Sequence, residues 1–96
     1  MAKFRVDSDV LKAKATDVRG IRAEHENVVA KLGTIVNALA EVWEGQAYQK
    51  FVSDYESIKP TFTKLAETLE AVAADLDHDA EIYAEAEARA ASNTSN

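Results

Sequence analysis

Two apolar stripes run along this chain, and both advance by alternating steps of three and four residues. The first takes Leu11, Val18, Ile21, His25, Val28, Leu32, Ile35, Leu39 and Val42, with Lys14 in its one polar slot. Such spacing keeps one face of an α-helix apolar over many turns, which is a heptad pattern. Ala15, Val29 and Val36 lie beside it and widen the face beyond the seam of a two-stranded coil. The second stripe takes Phe51, Tyr55, Ile58, Phe62, Leu65, Leu69, Val72 and Leu76, then Asp79 and Tyr83, broadened by Val52, Ala66, Ala73 and Ala80. The pattern predicts two long helices, over about 8–42 and about 46–89, with a flexible polar tail over 90–96.

Helix signals fit these bounds. Asp7 is placed as N-cap, Val6 and Leu11 as a hydrophobic staple, and Asp9 sits in the first turn, where the helix dipole favours an anion. Pro60 falls inside the second stripe, but off its apolar face and with the stripe in phase on both sides, so it predicts a kinked helix and not two helices. Gly20 and Gly33 lie off the first stripe, each costing about 1 kcal/mol relative to Ala. Between the stripes stands Trp43-Glu44-Gly45. Gly45 can adopt the left-handed conformation that closes a helix, so these residues predict the bend of an antiparallel hairpin, with Trp43 as a plug over its end.

Folding about that bend sets Ser8 roughly opposite Glu81, so the second helix outruns the first by about ten ångströms if it continues to Ala88. Tyr83 and Glu87 lie on this overhang. A two-helix hairpin leaves much of each broad stripe wet, which favours pairing of two hairpins into a four-helix bundle. The fold class expected is therefore all-α, one domain over 1–96. Its core or dimer seam draws on Leu11, Val18, Ile21, Val28, Leu32, Ile35, Leu39, Phe51, Tyr55, Ile58, Phe62, Leu65, Leu69, Val72 and Leu76. If the hairpins run antiparallel, Tyr83 and Glu87 of one approach Trp43 of the other.

Composition agrees with long helices: Ala, Glu, Leu, Lys and Val dominate, with one Pro and three Gly among 96 residues. The net charge of -6 is unevenly placed. Residues 1–44 carry seven acids and seven bases, residues 45–96 ten acids and four bases. An acidic rod is a poor match for nucleic-acid phosphates or an anionic membrane surface. No cysteine is present, which removes disulfides, thiol nucleophiles and thiolate metal sites. The start, with Lys3 and Arg5, lacks the apolar run of a secretory signal, and no run is long enough to span a bilayer.

Other candidate chemistry falls away. Asp75, Asp77, Asp79 and Glu81 resemble the start of a calcium loop, but the positions that need Gly and Glu hold Ala80 and Ala86. They read as a solvated acidic face. His25, followed by Glu26, has Val29 where a zinc-protease helix needs its second histidine, and reads as a buried histidine satisfied by a neighbouring side chain. Asp79 on the second stripe falls near the start of the first helix, where backbone amides or Lys12 could satisfy it. No catalytic constellation, cofactor site or metal site is expected.

Trp43-Glu44-Gly45 at the bend of a hundred-residue hairpin, with Tyr83-Ala-Glu-Ala-Glu87 in the tail, resembles the WXG-motif family of early-secreted-antigen-like proteins. These are substrates of type VII secretion in Gram-positive and mycobacterial bacteria. The resemblance covers nearly the whole chain. It implies a protein made in the cytoplasm and secreted without a cleaved signal peptide, as a folded dimer, by an FtsK/SpoIIIE-type membrane ATPase. It also implies that Trp43 and Gly45 join Tyr83 and Glu87 across the dimer as a composite export signal. Because both motifs stand in one chain, a homodimer is expected over a heterodimer with a paralogous WXG protein. Against this stand a cytosolic helical adaptor or chaperone, which would form a heteromeric bundle, and a membrane-active protein whose hairpin opens onto lipid.

Overall fold

A computed structural model describes residues 6–94. It contains two helices, α1 (Ser8–Leu39) and α2 (Gln46–Thr94), folded back on each other as the all-α hairpin that the stripes predict. α1 begins where its cap dictates. The Asp7 carboxylate accepts the backbone N–H groups of Asp9 at 3.0 Å and Val10 at 3.3 Å, and the Asp7 carbonyl accepts that of Leu11 at 3.1 Å. These bonds satisfy donors that the first turn leaves without helical partners.

The bend differs from the sequence expectation. α1 stops at Leu39, not Val42, and tightens into short-range bonds from the N–H groups of Ala40, Glu41 and Val42 to the carbonyls of Asn37, Ala38 and Leu39. Gly45 does have a positive φ, 108°, yet it does not close α1. Its carbonyl accepts the N–H of Gln49 at 3.1 Å, so Gly45 opens α2. Five residues, 40–44, separate the end of α1 from Gly45.

α2 passes through Pro60, whose ring lies on the exposed side, as one helix. The polar tail expected from residue 90 is helical as far as Thr94, and residues 95 and 96 lie outside the described residues. The run from Ala84 to Ala91 contains only Ala, Glu and Arg, all strong helix formers, and nothing in it interrupts the ladder.

Little of the chain is fully buried. Ala15, Ala73 and Ala80 are at 0 % exposure and Val36 at 5 %. Around them Leu11, Val18, His25, Val29, Leu32 and Leu39 of α1 are half-buried, as are Val52, Tyr55, Phe62, Ala66, Leu69 and Leu76 of α2. Both sets keep heptad spacing, but they lie to one side of each predicted stripe. The alanines read as mere flankers in the sequence are the most buried residues of the hairpin, in keeping with small side chains shortening the interaxial distance. Gly33 belongs to the same contact: a Cβ there would stand 3.4 Å from the Tyr55 hydroxyl.

The other half of each stripe faces outward. Ile21, Val28, Ile35 and Val42 are 52, 61, 59 and 81 % exposed, and Ile58, Leu65 and Val72 between 43 and 46 %. The stripe is thus two adjoining faces, one closing the hairpin and one left without a partner in the chain. The molecule is a rod of 78 × 21 × 19 Å with a radius of gyration of 22.2 Å, where a compact domain of this length would have about 12–13 Å. It exposes 7623 Å², against about 5,400 Å² for a compact protein of its mass.

Candidate functional site

Three regions concern function: the bend, the protruding end of α2, and the outward apolar face between them. At the bend, the half-buried Trp43 ring lies 5.6 Å from Tyr48 at 61° and 5.4 Å from Phe51 at 33°. Such contacts each stabilise by about 0.5–1.5 kcal/mol beyond area burial. The indole therefore ties the end of the reversal to the first turns of α2. Val42, Glu44 and Gly45 beside it are exposed.

At the far end, Ala80 is the last buried residue of α2 among those whose burial is described, and from Glu81 to Ser92 every side chain is exposed. The α2 segment from Glu81 to Thr94 extends about 20 Å at ~1.5 Å per residue, roughly twice the expected overhang, because the helix persists further. Tyr83 is 43 % exposed and Glu87 stands one turn beyond it. Tyr83 follows Leu65 by about five turns, so both project to the same side of the rod. Within one chain the two motif halves are not brought together: the length of α1, about 48 Å, lies between the bend and the protruding end.

The hairpin is also held by a polar clasp. Arg19 donates to Asp77 at 2.7 Å and to Glu70 at 3.1 and 3.2 Å, while Arg22 donates to Glu70 at 2.6 Å and reaches Glu26 at 3.1 Å. Hydrogen bonding to Asp77, then to Glu70, raises the Arg19 pKa above its already high ordinary value. Any stability linked to that shift is present at lower pH and lost only as pH rises through the folded-state value, beyond the range in which proteins are handled. Asp77, read from sequence as part of a solvated acidic face, is thus half-buried and paired. Sequence reading missed the clasp because its partners lie some fifty residues apart; its only local trace is Arg19 and Arg22 on one side of α1 facing acids two turns apart on α2.

His25, expected to be buried against a side chain, is half-buried and its partner is a backbone group: Nε2 lies 3.0 Å from the Phe62 carbonyl, with the Phe62 ring edge-on at 6.2 Å. The adjacent Ala66 leaves room for the imidazole to reach that carbonyl. Asp79 is exposed and, among the described residues, bonds neither backbone amides nor Lys12. Among the described residues no group of His, Cys, Asp and Glu could hold a metal ion, and no helix is long and apolar enough to cross a membrane.

Residues 3–88 match the model of the WXG100 family, proteins of 100 residues with WXG. The chain belongs to the WXG100 family. Its W-x-G is Trp43-Glu44-Gly45, which the fold sets at the reversal between the two helices. The protein YukE of Bacillus subtilis is 33 % identical over 77 residues, covering 80 % of this chain and 79 % of that one. The type VII secretion system extracellular protein A of Staphylococcus aureus is 23 % identical over 93 residues, 97 % of this chain and 96 % of that protein. The EsxA structure from Geobacillus thermodenitrificans superposes with a TM-score of 0.85 at 23 % identity, covering 94 % of this chain and all of that one. The hairpin is therefore the fold of this structural neighbour too.

Proposed function

We propose that this chain is a small non-enzymatic protein exported by a type VII secretion system as a folded dimer. In this reading Trp43 and Gly45 of one copy, with Tyr83 and Glu87 of the other, form the export signal. The observation that carries it is the alignment of the outward face with the protruding end of α2. Ile58, Leu65 and Val72 project to the same side as Tyr83. An antiparallel partner that covers the face therefore brings its bend towards this tyrosine. The extracellular, type VII designation of the staphylococcal relative supports the route.

Tyr83 and Glu87, four apart on one helical face, suit a groove that buries a ring and meets a carboxylate with a cationic side chain. An FtsK/SpoIIIE-type ATPase is the receptor this reading assigns. The test is to express Trp43→Ala and Tyr83→Ala and assay the culture medium and the cell fraction, with circular dichroism and sedimentation as controls. Both variants should remain folded dimers and stay in the cell. Normal secretion of either one by the same route removes the composite signal. The same outward face could serve a cytosolic adaptor, for which sedimentation of the purified chain would show no homodimer.

A further inference from the structure

The seam side of α2 runs on past the point where α1 begins. Leu76 and Ala80 face α1, and further steps of three and four residues carry the same side to Tyr83 and Glu87, beyond the head of α1. At about 100° per residue, Tyr83 stands about 20° from Leu76 on the seam and about 20° from Val72 on the outward face. A second copy that covers the outward flank therefore leaves the seam flank of Tyr83 open.

On this stretch Asp79, Tyr83 and Glu87, each four residues from the next, make one slanting line of acid, ring and acid. All three are exposed, and neither carboxylate has an ion pair among the described residues. From Glu81 to Thr94 the helix carries Glu81, Glu85 and Glu87 against one base, Arg89. The complementary triplet stands elsewhere in the chain. Residues 1–5 lie outside the described residues, and their sequence contains Lys3, Phe4 and Arg5, a base, a ring and a base.

That segment joins the described chain at the foot of the acidic line. His25 meets Phe62, and an equal count of residues from each towards the open end of the hairpin leads to Ser8 and Asp79, which are thus level to within about a turn. Asp7 has already left the helix, with φ -106° and ψ 110°, and Val6 is half-buried. The four extended residues from Ser8 back to Phe4 span up to about 13 Å, enough to cross onto α2 and come level with Tyr83 and Glu87.

We propose that Lys3-Phe4-Arg5 docks on the seam flank of α2, with Phe4 against Tyr83, Arg5 towards Asp79 and Lys3 towards Glu87, and covers the tyrosine until a receptor displaces it. The docking stands on charge, level and reach; its role as a cover rests on the export reading above. Exposed ion pairs and a single ring contact are each weak. The segment is tethered beside its site through Val6 and Asp7, so the contact is intramolecular and modest interactions are enough to populate it. The same modesty lets a groove that takes both the ring and the carboxylate win the site.

The chain has no cysteine, so paired thiols report the contact. Lys3→Cys/Glu87→Cys should close an intramolecular disulfide under mild oxidation, about threefold faster or more than Lys3→Cys/Glu85→Cys, whose second thiol lies on the far side of the helix, about 160° round from Glu87. Equal rates for the two, or a disulfide that joins two chains, overturn the docking. With Tyr83 in place, its nitration by tetranitromethane should quicken about threefold or more in Lys3→Glu/Arg5→Glu while that of Tyr48 is unchanged, sedimentation confirming the same assembly in both. Unchanged nitration of Tyr83 overturns the cover. Either failure leaves the secretion test on Tyr83→Ala as it was, whereas normal secretion of that variant overturns the role of the cover without altering the cross-link.

Discussion

Gly45→Ala offers a measurement of how far the bend depends on one backbone conformation. The φ of 108° lies beyond the left-handed well that L-residues occasionally enter, and no side chain stands within 4 Å to be displaced by an added Cβ. Its cost is therefore purely conformational. Left-handed backbone costs an L-residue roughly 1–2 kcal/mol, and the reduced entropy of the unfolded chain returns about 0.4–1 kcal/mol. A net loss of about 1 kcal/mol follows, worth a fall of roughly 4–8 °C in Tm for a chain of this size. Gly20→Ala is the matched control. Gly20 is helical, an added Cβ there also meets nothing within 4 Å, and removing a glycine from a helix interior gains about 1 kcal/mol. The two variants should move thermal melts followed by far-ultraviolet circular dichroism in opposite directions, at one protein concentration because association shifts Tm. The double variant should return close to the parent, since the sites are far apart and share no contacts. A Gly45→Ala melt at or above the parent, with Gly20→Ala raised, would show that the reversal relaxes into an ordinary conformation and that the strain argument is mistaken.

Two further expectations concern the hairpin itself. Ala73→Leu forces extra carbons into a position with no exposure at the helix contact and should cost about 1–3 kcal/mol, read as a lower urea midpoint; an unchanged midpoint would mean the helices are not in close contact there. Asp7→Ala removes the acceptor for the N–H groups of Asp9 and Val10 and should cost about 1 kcal/mol, with faster amide exchange confined to the first turn of α1. Protection unchanged at those amides would assign the cap no role.

The hairpin was legible because a stripe kept in phase over so many turns admits only long helices, and because Trp43-Glu44-Gly45 is the one interruption. Which half of each stripe closes the hairpin was not legible. Leu32 and Ile35 are equivalent on a heptad wheel, yet Leu32 meets α2 while Ile35 is 59 % exposed; only the pairing of the helices separates them. Ala15, Ala73 and Ala80 looked marginal by hydrophobicity and are the most buried residues, because contact distance and not apolar area decides what sits at the closest approach. Gly45 announced an unusual φ but not which helix it serves, since a carbonyl accepting from Gln49 is a property of the folded turn. The clasp of Arg19 and Arg22 on Glu70 and Asp77 needed the helix register before its charges could be matched.

Beyond Ala80 the molecule narrows from two helices abreast to one, from a girth near 20 Å to the 10–12 Å of a lone helix with its side chains. The profile is a taper, blunt at the aromatic knot and slender at the other extremity. Over residues 81–92 the lone helix offers all its sides, so whatever grips the molecule there can encircle it without parting the hairpin.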